Sequence, residues 1–295
     1  MRPSPATRTL YRAAERAALL GLGVNFLLGV LKLGAGLTLS SYALLADAVN
    51  SLGDTVTSAA VLAALRVAQR PGDAEHPYGH TRAEAVAGAN VALLVILSAA
   101  ALGWNALRRI GQEPPEVPAW ALLLAGANVV VKEALYRYKS ALGRRAGSMA
   151  LLANAWDHRA DAFSALAVLV GLAAVRWLGV PWADELAALV VVAAVVWSAG
   201  ELLWRAASEL LDRQADPELV RQVERVALED PGVRGVETLW LRKSGLEYFA
   251  DIHVEVDPGL TVAQGHAIAH RVRDRIHERH PRVRYVMVHV EPHEP

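Results

Sequence analysis

Three polar side chains interrupt a long apolar stretch near residue 50, and their spacing places them on one face of a helix. Asp47, Asn50 and Asp54 are three and four residues apart within the segment 43–59. In a membrane-spanning helix, an ionised carboxylate near the midplane costs about 2.5–3.5 kcal/mol on the most lenient insertion scale. Such residues usually face a functional cavity, so we expect one here.

The same pattern returns 107 residues later, in the segment 150–166. Its polar positions are Asn154, Asp157 and Asp161. Two copies of a polar stripe in corresponding halves of a membrane chain indicate a binding site near the midplane, where the repeats meet. Two ligands one turn apart on each of two neighbouring helices would form a four-ligand site. That predicted site consists of Asn50, Asp54, Asp157 and Asp161.

All four predicted ligands offer oxygen, which suits Mg²⁺, Ca²⁺ or Mn²⁺, whereas imidazole would favour Zn²⁺. Hydrogen bonding between helices is the alternative interpretation. Asp47 and Asn154 lie one turn further along the same faces, where we expect them to support the site or line its pathway. His158 is about 100° around the helix from Asp157, which excludes it from the site. A one-residue change of register would bring its imidazole in and favour zinc.

A second candidate cluster lies in the loop after the second apolar segment. Asp73, His76 and His80 fall within eight residues there, a plausible metal-ligand spacing. Pro77 and Gly79 predict a turn rather than a helix. Surface histidines without a ligand role are the alternative interpretation.

The composition indicates a membrane protein. With 54% hydrophobic residues and a mean hydropathy of +0.25, the chain is too apolar for an ordinary soluble protein of 295 residues. Most of the apolar segments are long enough to span about 30 Å of hydrocarbon as helices. They number six, at roughly 14–38, 41–67, 84–110, 118–139, 149–178 and 184–210.

The positions of basic residues predict the orientation. Arginine and lysine cluster before the first segment and around the second and fourth loops. By the positive-inside rule, both termini are cytoplasmic and the chain crosses the cell membrane several times. The second and fifth segments then run in opposite directions, as an inverted repeat requires.

Several functions are disfavoured. The net charge of zero gives no argument for nucleic acid, and the absence of cysteine excludes thiolate zinc sites and thiol catalysis. No GxxxxGK[ST] loop supports a nucleotide-driven pump. Without an HExxH or nucleophile motif, a membrane metalloenzyme is a remote alternative, and we expect neither catalytic residues nor a catalytic cofactor.

The last 80 or so residues read as a small soluble domain. A helix from 217 to about 228, strands at 235–244 and 248–256, a helix at 261–279 and a strand at 283–290 give the order αββαβ. This order predicts an α+β open-faced sandwich. Its core is modest, so dimerisation is a natural supplement. We place the domain boundary between a membrane domain, 1–212, and a cytoplasmic domain, 213–295.

Taken together, the motifs resemble the cation diffusion facilitators, which export divalent metals in exchange for protons. The resemblance covers essentially the whole chain. It rests on LLADAVNSLGD, HPYGHTRAEA, WDHRADA, SELLDR, DIHVEV and VMVHVEP. It implies a homodimer in membrane lipid, with six transmembrane helices and a cytoplasmic ferredoxin-like domain in each protomer.

The resemblance also implies roles for individual residues. The transport site matches the four oxygen ligands named above, and the loop site matches Asp73, His76 and His80. A charge interlock between membrane and cytoplasmic parts matches Arg82 with Asp212, although some members have lysine in place of the arginine. A cytoplasmic metal site would comprise His253, His266, His289 and Glu291.

The transport-site residues favour manganese as the substrate. Zinc members usually carry histidine at one or both of the positions of Asn50 and Asp157, and this chain has neither. It therefore resembles the manganese-exporting branch, in agreement with the hard-ligand argument. The alternatives are a Zn²⁺, Fe²⁺ or Co²⁺ exporter of the same family and a scaffold that does not transport. The imidazole-rich cytoplasmic site could bind a different ion.

Overall fold

Six long helices followed by a small α+β domain make up the protein, which confirms the fold expected from the sequence. The computed structural model describes residues 5–38, 42–109, 119–178 and 183–293. The long helices are α1 (Pro5–Thr38), α2 (Tyr42–Ala68), α3 (Ala83–Arg109), α4 (Ala119–Ala146), α5 (Met149–Leu178) and α6 (Ala183–Leu210). The elements that follow are α7 (Pro217–Leu228), β1 (Gly235–Ser244), β2 (Glu247–Val256), α8 (Val262–Arg279) and β3 (Val283–Pro292).

Among the described residues, four helices contain stretches long and apolar enough to cross a membrane. Their surfaces expose large apolar side chains. Leu31 on α1 is 60% exposed and Trp197 on α6 is 79% exposed, as expected where a helix faces lipid rather than water. The four stretches are Thr7–Gly34, Ser51–Ala68, Ala83–Arg108 and Leu189–Leu210.

The chain divides into two compact units. The helical unit comprises Ala13–Arg66 and Glu84–Ala207. The C-terminal unit comprises Ser208–Pro295 together with Val67–Ala83 and Met1–Arg12. The loop with the Asp and His residues therefore belongs to the C-terminal unit.

In the helical unit, the first residues of α5 pack closely against α3. The Ser148 hydroxyl accepts a hydrogen bond from the Leu151 amide at 3.1 Å, as an N-cap does, and buried Glu84 accepts one from the Ala150 amide at 3.4 Å. A Cβ atom on Gly88 would lie 3.0 Å from the Met149 carbonyl carbon, so a larger residue in α3 would force the start of α5 to shift by a few tenths of an ångström. These contacts fix the start of the helix that carries Asp157 and Asp161.

The C-terminal unit is a three-stranded sheet in the order β1-β2-β3, covered on one face by α7 and α8. Strands β1 and β2 are antiparallel, and β2 and β3 are parallel and joined through α8. Alternate β2 residues, including Ile252 and Val254, pack against Val272 and Ile276 of α8. Because side chains alternate along a strand, the residues between them, such as His253, lie on the other face of the sheet.

Candidate functional site

A cavity of about 310 Å³ in the helical unit collects the three predicted acidic ligands that the structure describes. Asp54 of α2 and Asp157 and Asp161 of α5 line it. The rest of its wall is mostly apolar and comes from α3 and α6, with Ala160 from α5. The remaining lining residues are Val95, Ser98, Ala99, Leu102, Ala160, Val191, Val192 and Val195.

The two polar helices are joined directly beside this cavity. The Thr57 hydroxyl donates to Asp157 Oδ2 at 3.1 Å, and the Ser58 hydroxyl donates to Asn154 Oδ1 at 3.4 Å. Asn154 is fully buried. The structure thus brings the two copies of the repeat face to face. The side chains of Asp47 and Asn50 lie outside the described residues.

A lysine that the sequence analysis did not identify lies among these carboxylates. Lys132 of α4 has a side chain only 1% exposed; its Nζ donates to Asp161 Oδ2 at 2.8 Å and forms an ion pair with Asp54. The sequence does contain the signal, because a lysine inside an apolar helix is as expensive as an aspartate. One ammonium group therefore contacts carboxylates from both polar helices.

A second lysine on α4 accounts for His158. Lys139 Nζ hydrogen-bonds Asn154 Oδ1 and lies 2.8 Å from His158 Nε2, and both Lys139 and His158 are fully buried. The imidazole contacts this lysine and does not line the cavity with the three carboxylates. His158 therefore lies apart from the three carboxylates, in keeping with its position about 100° around the helix from Asp157.

In the C-terminal unit, the loop residues Asp73, His76 and His80 form a compact group. Asp73 lies 3.3 Å from His76 Nδ1 and 3.4 Å from His80 Nε2, and one potential ligand atom from each residue lies within 4.8 Å of the others. The pKa of the Asp73 carboxyl is lowered chiefly by the backbone N–H of His76, which donates to it at 2.7 Å. Gly79, with φ of +91°, allows the turn that returns His80 to this aspartate.

A second group lies on the open face of the sheet. His253 Nδ1 is 2.8 Å from Glu291 Oε1 and 3.7 Å from Glu237 Oε2. The parallel register pairs His253 with His289, whose Nε2 is 3.4 Å from Glu291 Oε1. A hydrogen bond between the two carboxyl groups raises the pKa of Glu237 and lowers that of Glu291. We call Glu237, His253, His289 and Glu291 the sheet cluster.

The sheet cluster differs from the predicted cytoplasmic site at two residues. Glu237 was missed, because it enters the cluster through a bulge between Val236 and Thr238 that no local sequence pattern indicated. His266 is on α8, which packs against the opposite face of the sheet, and it lines a separate cavity of about 380 Å³ with Glu291. The structure brings together His253, His289 and Glu291 within one chain, without His266.

Arg82 and Asp212 form the ion pair that the resemblance implied. Arg82 Nη1 also donates to the Leu210 carbonyl at 3.5 Å, and Arg242 Nε lies 3.5 Å from Asp212 Oδ1. Asp212 has a φ of +56°, an uncommon left-handed conformation at the end of α6. Both charged partners therefore hold Asp212 at this turn.

Comparisons with known proteins match a transmembrane domain and a cytoplasmic domain to successive parts of the chain. The family model of the cation efflux transmembrane domain matches residues 18–211, and that of the cation efflux protein cytoplasmic domain matches residues 215–293. Manganese efflux system protein MneP of Bacillus subtilis is 31% identical, over 95% of this chain and 96% of its own.

Two further relatives have different names. Metal tolerance protein 2 of Oryza sativa is 32% identical, over 94% of this chain and 78% of its own. Magnetosome protein MamB of Magnetospirillum gryphiswaldense is 34% identical, over 87% of this chain and 86% of its own. The names of the relatives therefore refer to more than one physiological setting.

Proposed function

Because this chain belongs to the cation efflux family, we propose that it exports Mn²⁺ from the cytoplasm in exchange for protons. It is a multi-pass membrane transporter of divalent metal cations and not an enzyme, and the ions are its substrate. The observation that carries the finer proposal is the grouping of Asp54, Asp157 and Asp161 around one cavity between four helices.

The ligand types support manganese over zinc. The three carboxylates offer hard oxygen donors, which suit Mn²⁺. We propose that Asn50, one turn before Asp54 on α2, supplies a fourth oxygen. His158, the imidazole nearest in sequence, contacts Lys139 instead. The name of MneP, which refers to manganese efflux, adds support from a relative whose match covers 95% of this chain.

Proton coupling follows from the chemistry of the same carboxylates. Only their ionised form coordinates a metal, so protonation and metal binding exclude each other at one site. In the inward-facing arrangement the site takes up metal, and in the outward-facing arrangement protons displace it. Asp47 and Asn154 would support this site or line the route to it.

Sealed vesicles that contain the purified protein and a pH-sensitive dye test this proposal. We expect uptake of Mn²⁺ into the vesicles to be accompanied by a rise in internal pH, because protons leave as metal enters. Manganese uptake without an opposing proton movement would contradict antiport. Vesicles without protein control for leakage of either ion.

The same proposal includes the setting of the transporter. We propose that residues 1–212 form the membrane domain in the cell membrane and that residues 213–295 and the N-terminus are cytoplasmic. The second family match is to the dimerising cytoplasmic domain of the family, which indicates a homodimer. In this arrangement the Arg82–Asp212 pair stabilises the end of α6 immediately before the cytoplasmic domain.

Zinc has support as a regulatory ion, because imidazole ligands favour it. The loop group contains two histidines, and the sheet cluster contains His253 and His289 beside two carboxylates. We propose that the sheet cluster binds a divalent metal and biases the transporter toward its active arrangement. His266 lines another cavity, which it shares with Glu291, and is not part of the sheet cluster.

Glu291→Gln is expected to weaken metal binding by the sheet cluster. Glu291 contacts both His253 and His289, so loss of its charge removes the central ligand. We expect about a 10–100-fold loss of Zn²⁺ affinity at one site per protomer. Calorimetry on the full-length protein measures it. Glu229→Gln, which removes an exposed carboxylate paired with Arg279, should leave Zn²⁺ binding unchanged; equal binding by both variants would contradict the assignment.

A further inference from the structure

We propose that Lys132 is a tethered cation that occupies the transport site when no metal is bound and that the incoming metal must displace it. This inference rests on the proposed function, because it takes Asp54, Asp157 and Asp161 as metal ligands. It adds a specificity-determining residue that the sequence analysis did not identify.

The Lys132 ammonium group contacts carboxylates that we propose as metal ligands. Lys132 Nζ contacts a carboxylate oxygen of Asp54 and one of Asp161, so a single ammonium group joins the two repeat helices. Among the residues that the structure describes, these acids do not form a group of three with ligand atoms within 4.8 Å, unlike the loop residues. One carboxylate oxygen of Asp54 and one of Asp161, two of the proposed metal ligands, are thus already engaged by the lysine.

Because the groups are buried, the contact of Lys132 with the two carboxylates has a large effect on the energy of the site. The side chain of Lys132 is 1% exposed, that of Asp54 is 9% exposed and that of Asp161 is 22% exposed. Uncompensated charges are costly in such surroundings, so the lysine stabilises the metal-free bundle by neutralising carboxylates. A metal ion and the ammonium group compete for the same oxygens, which weakens metal binding and assists release.

The same competition discriminates between ions. A divalent ion replaces one positive charge with two, whereas Na⁺ or K⁺ replaces the ammonium with an equal charge and gains little. Lysine also suits displacement, since its flexible four-carbon stem lets the ammonium move while α4 stays in place. Lys132 therefore admits divalent cations to the site and excludes the abundant monovalent ones.

Equilibrium Mn²⁺ binding to the purified full-length protein at constant pH tests the inference. Lys132→Met should bind Mn²⁺ at least about tenfold more tightly than the unmodified protein. Its Mn²⁺ binding should also become sensitive to 150 mM K⁺, taken as about the physiological ionic strength. Mn²⁺ binding that is lost in the Asp161→Asn variant is assigned to the transport site. Lys132→Gln, which keeps hydrogen-bonding atoms without the charge, should show the same tightening if the methionine variant does not fold.

Matched controls separate this effect from a general loss of packing. Lys32 is also a buried lysine of the helical unit, and its Nζ donates to Ser51 Oγ at 3.1 Å and to Asn128 Oδ1 at 3.4 Å. Lys32→Met should leave Mn²⁺ affinity within about twofold. Thermal unfolding should show a larger Mn²⁺-induced rise in Tm for Lys132→Met than for either parent or control.

Two results would overturn the inference in distinguishable ways. If Asp161→Asn removes a binding component that Lys132→Met and Lys132→Gln leave unchanged or weaken, Lys132 is structural and does not compete with the metal. If Asp161→Asn leaves Mn²⁺ binding unchanged, the proposed transport site is wrong and the inference fails with it.

Discussion

Asp161→Asn is expected to lower metal transport by at least about 30-fold while leaving the protein folded. Asp161 contributes one of the three carboxylates that line the cavity, and it also accepts a hydrogen bond from Lys132. Loss of one partner from a buried charge pair costs about 2–5 kcal/mol. At 1.4 kcal/mol per factor of ten, this is roughly a 30-fold to several-thousand-fold weaker metal interaction. Manganese uptake by reconstituted vesicles measures it.

The control for this variant lies on the neighbouring helix. Glu133 is adjacent to Lys132, but its carboxylate pairs with Arg137 at 2.7 Å rather than facing the cavity. Glu133→Gln removes the same charge by the same chemical change and should retain near-normal uptake. If both variants transport manganese equally well, the three acids do not form the transport site, and a scaffold role becomes the better account.

Asp157→His is expected to change the metal that the transporter prefers. The substitution replaces a hard oxygen donor beside Thr57 with imidazole, which favours Zn²⁺ over Mn²⁺. We expect the ratio of zinc to manganese uptake to rise by about tenfold or more, equivalent to about 1.4 kcal/mol of differential binding. Uptake from an equimolar mixture of the two metals gives this ratio directly.

Asp157→Asn is the matched control for the selectivity change. It removes the charge but keeps an oxygen donor, so it should lower the uptake of both metals without raising the ratio. A rise in the ratio with asparagine would show that loss of charge, rather than gain of imidazole, sets the preference. An unchanged ratio with histidine would place Asp157 outside the coordination sphere.

Sequence-based prediction of the site succeeded for residues whose charge is energetically costly in an apolar helix. Asp54, Asp157 and Asp161 stood out because carboxylates are expensive in an apolar helix, and the structure gathers all three around one cavity. The two helices and three strands of the C-terminal unit followed from periodicity and turn residues. Strand pairing then placed His253 beside His289, a contact that spacing along the chain could not supply.

What the sequence analysis missed depended on contacts between distant segments. Lys132 carried the same signal as the aspartates, but its partners are on α2 and α5, so its role required the packing of three helices. Glu237 entered the sheet cluster through a bulge, and bulges have no reliable local signature. His266 was grouped by resemblance with residues that lie on the other face of the sheet.

The central claim is that this site exports divalent metal with a preference for manganese, and competitive flux tests it most directly. Vesicles containing the unmodified protein receive Mn²⁺, Zn²⁺, Fe²⁺ and Co²⁺ together at equal concentrations, and the ions taken up are quantified by mass spectrometry. We predict that Mn²⁺ dominates the uptake and that Asp161→Asn vesicles take up at least about 30-fold less of it. Dominant zinc uptake by the unmodified protein, with the same dependence on Asp161, would contradict the assignment of manganese as substrate.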